Sequence, residues 1–348
     1  ITKAKTAIAA AIATARQPLD APPYCQAKSA PVAVSPQMTV GNGRFARAAG
    51  DVRSFRASPE FDGAVLAIAA GLIQELRLGK DASPDVISVG LSATDYVGHG
   101  LGPGGGEMCL QLLSLDRDLG GFFSVLDAES IDYAVVLTAD HGGMDIPERL
   151  RARGVPQAVR ADPALGTAQV GKAIAAKLNL SGPVLLGDLG NDIWIDSSLS
   201  PADRARAEQE AIAIFKAHPQ VEAVFTKRQI ARVELSTASP DKWTIPEELR
   251  ASFDPQRSGD LYVVLKKYVS PIAEPGTGYV ATHGSVWNYD RRVPILFWRN
   301  GMRPSNRPEH ISTTNILATL AAEIGLALPS TLDGRCLNGV QGVACPVR

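Results

Sequence analysis

Helix-like and strand-like segments alternate along the first half of the chain, and this alternation constrains the fold more than any other feature of the sequence. A helical pattern at Asp62–Leu78 precedes a strand-like run at Asp85–Leu91. A second helical pattern at Glu107–Asp127 precedes a second strand-like run at Tyr133–Thr138. Such alternation is typical of a largely parallel sheet covered by helices. The sequence therefore predicts a three-layer α/β/α fold with a mixed, mostly parallel central sheet.

The rest of the chain extends this pattern and adds a candidate subdomain. Further strand-like runs and a last helix lie at Val221–Phe225, Leu261–Leu265, Pro294–Trp298 and Ser312–Ile324. Residues 158–225 also contain a hairpin-like segment and a helix that starts at Ser200 and Pro201, which favours a small cap or subdomain. With 348 residues, 45% of them hydrophobic, the chain can form one large α/β domain. We expect a single domain over residues 1–348, with residues 158–225 at its periphery.

The charges of the chain are nearly balanced, with 35 lysines and arginines against 36 aspartates and glutamates. This balance disfavours nucleic acid or an anionic membrane as the main partner. The longest apolar stretches, Ala7–Ala15 and Ala64–Ile73, are too short to span a bilayer. The chain begins at Ile1 with an alanine-rich segment that resembles the middle of a protein, so we expect it to be truncated at its N-terminus.

Four cysteines leave two interpretations open. Cys336 and Cys345 bracket a short turn that contains glycine, which suits a small disulfide in an oxidising compartment. The alternative is four unpaired thiols. Cys109 lies in the apolar run Met108–Leu113 and is most simply a small buried hydrophobic residue.

Three loops combine histidine with glycine, and two of them add an aspartate. Asp95 and His99 follow the first strand-like run and stand four residues apart, so one helical turn places both on the same side. Asp140 and His141 follow the second strand-like run and precede two glycines. His283 lies in a third loop, between threonine and glycine. Ligands of open α/β sheets bind at the loops that follow the carboxyl ends of the strands. The three loops are therefore expected to form one shared site.

Each of these motifs has a simple structural interpretation when it is taken alone. An aspartate is often a helix cap, and a histidine in a loop is usually solvated. Together they include three of only five histidines, which independent structural roles would rarely produce. Oxygen and nitrogen donors without any thiolate suit a catalytic Zn²⁺ that keeps an open coordination position.

Other polar residues are more simply structural. His218 stands at a predicted helix end and His310 near the start of the last helix. Arg149, Arg151 and Arg153 alternate after the second motif, a spacing more typical of a solvated face than of a phosphate site.

The order of the three motifs resembles that of the alkaline phosphatase superfamily. The resemblance rests on Ser-Ala-Thr-Asp-Tyr-Val-Gly-His at residues 92–99, Asp-His-Gly-Gly at 140–143 and Thr-His-Gly at 282–284, and it extends from about Ser58 to Asp333. It is closest to the bacterial periplasmic alkaline phosphatases with a threonine nucleophile, which have a type I phosphodiesterase/nucleotide pyrophosphatase-like fold. The resemblance implies that Asp95, His99 and His283 bind one zinc. It also implies that Asp140 and His141 bind a second zinc, with another divalent metal as the alternative at one site.

The resemblance further implies hydrolysis of small phosphate monoesters through a covalent phospho-enzyme, in the periplasm or outside the cell. The threonine or serine nucleophile of such enzymes lies upstream of the part that matches, so the catalytic residue is absent from this chain. The alternatives are a phosphodiesterase of the same superfamily, or an inactive metal-binding module if Ile1 is the true start. Monomer and homodimer both remain open.

Overall fold

Helices and short strands alternate along residues 2–346, the part of the chain that this computed structural model describes. The α-helices are α1 (Thr2–Ala13), α2 (Pro23–Gln26), α3 (Val52–Arg56), α4 (Pro59–Leu76), α5 (Ala93–Leu101), α6 (Gly106–Ala128), α7 (Pro147–Ala152), α8 (Thr167–Leu178), α9 (Pro201–Ala217), α10 (Lys227–Ala231), α11 (Ile245–Ala251), α12 (Asn288–Arg291) and α13 (Asn315–Glu323). The β-strands are β1 (Arg16–Asp20), β2 (Val32–Ser35), β3 (Met38–Val40), β4 (Arg44–Arg47), β5 (Ala134–Thr138), β6 (Val159–Arg160), β7 (Leu185–Gly187), β8 (Asp192–Ile195), β9 (Val221–Thr226), β10 (Leu261–Leu265), β11 (Val269–Ser270) and β12 (Ile295–Arg299).

The predicted mixed α/β class is confirmed. The helical patterns correspond to α4 and α6, and the strand-like run at Tyr133–Thr138 corresponds to β5. The later strand-like runs correspond to β9, β10 and β12, and the last helix to α13. Within the described residues, none of the helices has the length and apolar character needed to cross a bilayer.

The ladders between the described strands are short and mostly antiparallel. One sheet has four strands in the order β7-β8-β10-β9, and the remaining strands pair as β1–β4, β2–β3, β5–β12 and, in parallel, β6–β11. The predicted strand at Asp85–Leu91 forms no ladder, because residues 84–92 are irregular. Its apolar side chains Val86 and Ile87 are exposed, Val86 by 73%.

The irregular segment 84–92 runs beside β5: the two segments start near each other and finish near each other. No ladder joins them. Before the two segments, Lys80 Nζ lies 3.4 Å from Glu129 Oε2. After them, Asp95 Oδ1 lies 3.8 Å from His141 Nε2. A segment with strand propensity forms no ladder when no adjacent strand presents backbone N–H and C=O groups to it. The sheet is therefore open beside β5.

The largest apolar core packs the four-stranded sheet against α8 and α9. Its fully buried members include Ile174, Ile193, Phe215 and Val263. Most of this core lies in residues 158–225, but β10 also contributes to it. The boundary of the predicted subdomain therefore stays a prediction.

Two smaller cores support the loops that follow α5 and β5. Val97 on α5 packs with Met108 and Leu110 on α6. Ile146 packs with Val280 and Ala281, just before the loop that carries His283. These contacts hold segments that are distant in sequence against one another.

All four cysteines are paired. Cys336 is bonded to Cys345, which is the first of the two interpretations that the sequence left open. Cys25 is bonded to Cys109 with a Cα–Cα distance of 5.5 Å. The interpretation of Cys109 as an unpaired hydrophobic residue is wrong, because α2 packs against α6 and brings Cys25 to it.

Candidate metal centre

Three segments that are distant in sequence meet at the carboxylate of Asp95. The Nε2 atom of His99, one turn further along α5, lies 3.4 Å from Asp95 Oδ1. The Nε2 atom of His283 lies 3.5 Å from the same oxygen. One ligand atom from each of these three residues lies within 4.8 Å of the other two, as metal coordination requires. The structure therefore brings together all three residues that the sequence predicts for the first zinc.

Backbone carbonyls orient two of the histidines at this centre. His99 Nδ1 lies 2.7 Å from the carbonyl oxygen of Ala281, and His141 Nδ1 lies 2.8 Å from that of Gly142. A carbonyl oxygen only accepts, so each Nδ1 carries the proton. Each Nε2 then carries no proton and is free to bind a metal, because the hydrogen bond made by one ring nitrogen determines which nitrogen is protonated.

The two residues predicted for the second zinc are placed differently. The His141 ring stacks on that of His283 with a centroid distance of 3.3 Å, so His141 lies at the centre. The side chain of Asp140 is 89% exposed, and its Oδ1 accepts the backbone N–H of His141. Its Oδ2 lies 3.6 Å from His141 Nε2. In the described structure Asp140 is therefore at the rim.

A buried carboxylate on α4 positions the helix that carries Asp95. Asp62 is 1% exposed, and its Oδ1 accepts the N–H of Ala93, the first residue of α5, at 3.0 Å. Its Oδ2 accepts from Gln111 Nε2 at 3.0 Å. A carboxylate at the N-terminus of a helix satisfies a free N–H group and interacts favourably with the helix dipole. Sequence analysis missed Asp62, because an aspartate in a helical pattern is usually solvated.

The loop after β5 approaches the loop of His283 closely at Gly142. The Gly142 N–H donates to the carbonyl oxygen of Asp290 at 2.7 Å. A Cβ atom at Gly142 would overlap the carbonyl oxygen of Tyr289. Only glycine therefore lets the backbone come this close.

A second buried pair supports the turn that follows α5. Arg149 Nη1 lies 2.6 Å from Asp145 Oδ1, and Arg149 Nη2 donates to the carbonyl oxygen of Leu101. Asp145 Oδ1 also accepts the N–H of Gly104 at 3.2 Å. Arg149 is only 3% exposed, so its interpretation as part of a solvated face is wrong. The spacing of four residues between Asp145 and Arg149 was the available signal.

Burial shifts the titration of several groups around the centre. It lowers the pKa of His283, and the neighbouring His141 lowers it further, which favours the neutral imidazole that binds metals. Burial raises the pKa of Asp290. It also raises the pKa of Tyr262 to about 12, so this phenol stays protonated and donates to the carbonyl oxygen of Gly284 at 3.2 Å. Tyr262 thus helps to hold the loop of His283.

The other two histidines lie outside the centre, in agreement with the sequence analysis. His218 Nε2 lies 3.5 Å from Asp162 Oδ2. His310 Nε2 lies 3.5 Å from Arg292 Nη2.

The chain is similar in sequence to bacterial alkaline phosphatases. It is 48% identical over 346 residues to alkaline phosphatase PhoK of a Sphingomonas species, a match that covers 98% of this chain and 62% of that protein. It is 41% identical over 333 residues to alkaline phosphatase PhoD of Zymomonas mobilis, covering 94% of this chain and 58% of that protein. The chain therefore spans about three fifths of the length of these relatives.

The fold is similar to that of a solved alkaline phosphatase. The chain superimposes on the crystal structure of wild-type alkaline phosphatase PafA with a TM-score of 0.79 and 21% identity, over 98% of this chain and 65% of that one. The sequence pattern of one family, described as type I phosphodiesterase / nucleotide pyrophosphatase, matches residues 14–286, which is more than half of the chain. The protein therefore belongs to the type I phosphodiesterase/nucleotide pyrophosphatase family.

Proposed function

We propose that this chain carries most of the metal centre of a phosphohydrolase that cleaves small phosphate monoesters. The observation that carries the proposal is the convergence of Asp95, His99 and His283 on one point from distant parts of the sequence. Relatives that share 48% and 41% of its residues are alkaline phosphatases, which supports the monoester as substrate.

The donor atoms suit Zn²⁺. One carboxylate and two imidazoles, without any thiolate, form a three-ligand set that leaves a fourth position open, as in catalytic zinc sites. We assign Asp95, His99 and His283 to one zinc, and Asp140 and His141 to a second, with another divalent metal as the alternative at one site. When bound, a metal pair stabilises charge on the attacking and leaving oxygens of an in-line phosphoryl transfer.

The protein residues hold their ligand atoms in place before any metal binds. The Nδ1 hydrogen bonds of His99 and His141 keep each Nε2 bare. Asp140 has to turn inward from its exposed position before it contributes to the second site. The first site is therefore more complete than the second, and we expect it to bind its metal more tightly.

The attacking residue, a threonine or serine that is phosphorylated during turnover, is proposed to lie outside these 348 residues. The opening between the segment 84–92 and β5 supports this part of the proposal. A parallel strand in that opening would end beside Asp95 and His141, because parallel strands deliver their carboxyl ends to the same edge. The greater length of the alkaline phosphatase relatives also supports it.

A periplasmic or secreted location is supported by the disulfides. Disulfides form and persist in oxidising compartments, and the structure contains two among the described residues. The oligomeric state, monomer or homodimer, stays a prediction.

The metal centre is tested by zinc titration of the 348-residue chain against a chromophoric chelator. The wild type should bind zinc tightly, and His99→Ala should weaken that binding at least tenfold. His310→Ala is the matched control, because this histidine lies outside the centre. Equal zinc affinity in His99→Ala and the wild type would refute the assignment.

The reaction is tested with the longest polypeptide that the gene encodes, using an aryl phosphate monoester and an aryl phosphate diester at alkaline pH. We expect preferential hydrolysis of the monoester, abolished by His99→Ala. Preferential hydrolysis of the diester would instead favour a phosphodiesterase, as the name of the family suggests. Zinc binding without hydrolysis of either substrate would favour an inactive metal-binding module.

A further inference from the structure

Asp290, in helix α12 just after the loop of His283, is a buried residue of which only one carboxylate oxygen accepts hydrogen bonds from the described part of the chain. The residue is 5% exposed. Its Oδ2 accepts the N–H of Ser285 at 2.9 Å and the Ser285 hydroxyl at 2.6 Å. Its Oδ1 is buried and has no hydrogen-bond partner among the described residues. Buried carboxylate oxygens normally accept a hydrogen bond, so we expect a donor near Oδ1.

Asp290 and His283 share a small cavity. Its volume is about 30 Å³, and Tyr262 and Met144 complete the wall near them. A space of this size holds one water molecule when polar groups surround it. The described structure contains no direct ion pair between the two side chains, so one water in this cavity is the bridge that would join them.

His283 differs from the other two histidines at the metal centre in one respect. His99 Nδ1 and His141 Nδ1 each donate to a backbone carbonyl. His283 presents Nε2 to Asp95, but no hydrogen bond to its Nδ1 is formed among the described residues. A histidine that binds a metal almost always donates its other N–H to a carboxylate, a carbonyl or a water.

We propose that Asp290 is the positioning residue of His283: one water in the shared cavity accepts the Nδ1 proton of His283 and donates to Asp290 Oδ1. This holds Nε2 bare and directed at Asp95. The carbonyl oxygen of Asp290 also accepts the Gly142 N–H, next to His141. One residue thus couples two of the three segments that form the centre. The inference rests on the proposed metal site.

Asp290→Asn separates this role from a merely structural one. The Ser285 N–H requires an acceptor, so the amide oxygen should take the Oδ2 position and the amide NH₂ should face the cavity. A donor then replaces the acceptor, and the His283 proton should move to Nε2, the atom needed for zinc. We expect zinc affinity to fall tenfold to a hundredfold. Ser285→Ala, which leaves Oδ1 untouched, should change it by less than about threefold.

The decisive measurement is the tautomer of His283, read from ¹⁵N chemical shifts of histidine-labelled, zinc-free chain at pH 8. The expected result is a protonated Nδ1 in the wild type and in Ser285→Ala, and a protonated Nε2 in Asp290→Asn. A proton on Nε2 in the wild type, or the same tautomer in all three proteins, would overturn the proposal. Because this readout needs no metal, a wild-type chain that fails to bind zinc refutes the proposed function separately. A proton on Nε2 in the wild type overturns the proposed role of Asp290 even if the variant does not fold.

Discussion

Replacing Gly142 by alanine should separate two of the segments that form the metal centre. The new Cβ would overlap the carbonyl oxygen of Tyr289 and lie 3.2 Å from its carbonyl carbon. Both neighbours are backbone atoms and cannot rotate away. The loop must therefore retreat by about 1 Å before the contact becomes an ordinary one. The hydrogen bond from the Gly142 N–H to the carbonyl oxygen of Asp290 would be lost in the process.

The size of the effect follows from these two changes. Overpacking typically costs about 1–3 kcal/mol, and a lost hydrogen bond costs about 1 kcal/mol. Alanine offsets about 0.4–1 kcal/mol of this loss, because it lowers the conformational entropy of the unfolded chain relative to glycine. We expect Gly142→Ala to lower the free energy of unfolding by about 1–3.5 kcal/mol. We also expect it to weaken zinc binding at least tenfold, since the new contact pushes apart the two segments that carry His141 and His283.

Gly143→Ala is the matched control. A Cβ atom at this position would meet only the Pro103 Cγ atom, at an ordinary distance of 3.7 Å. Its free energy of unfolding should stay within about 1 kcal/mol of the wild type, with unchanged zinc affinity. Urea denaturation of the zinc-free proteins and zinc titration measure the two quantities. Equal stability and equal zinc affinity in the two variants would refute the close-approach argument.

Three further predictions concern the supporting structure. Burial raises the pKa of Asp62, so its contribution to stability is greatest when it is protonated and is lost as the pH rises above about 4. The wild type should lose stability relative to Asp62→Asn across that range, as measured by urea midpoints between pH 3.5 and 7. Removing the Cys25–Cys109 disulfide, whose cysteines are 84 residues apart, should cost about 4 kcal/mol in guanidinium denaturation. Arg149→Ala should cost about 3–5 kcal/mol by the same measurement, because it leaves the Asp145 carboxylate buried without its main partner.

Each of these predictions has an outcome that contradicts it. A constant stability difference between the wild type and Asp62→Asn would mean that this carboxyl group titrates alike in the folded and unfolded states. An unchanged guanidinium midpoint after loss of the Cys25–Cys109 bond would argue against chain-entropy stabilisation. If Arg149→Met with Asp145→Asn is as unstable as Arg149→Ala, the uncompensated charge is not the cause.

The residues proposed to bind the metal were the easiest to find from the sequence. Asp95 and His99 are one helical turn apart, so local geometry alone places them together once α5 forms. Asp140 and His141 come just after β5, and the residues that follow a strand lie at the site where that strand ends. His283 was identified only through the resemblance of the ordered motifs and its glycine-bearing loop.

The residues that support the site were not found, because their partners are distant in sequence. Asp62 acts on Ala93, 31 residues away, and Asp290 acts on Gly142 from the other side of the centre. Cys109 looked like an ordinary apolar position until α2 brought Cys25 to it. A single buried polar residue has the same local pattern as a solvated one, and only burial distinguishes the two.

The sequence by itself determined the alternation of elements, the candidate metal-binding side chains and the family resemblance, because each depends on short-range periodicity or on the order of motifs. Tertiary structure decided which strands pair and which side chains are buried. Residues 84–92 make the difference plain, since they have the composition of a strand but remain irregular. A ladder needs hydrogen-bonding groups from two segments, and no local pattern supplies the second one.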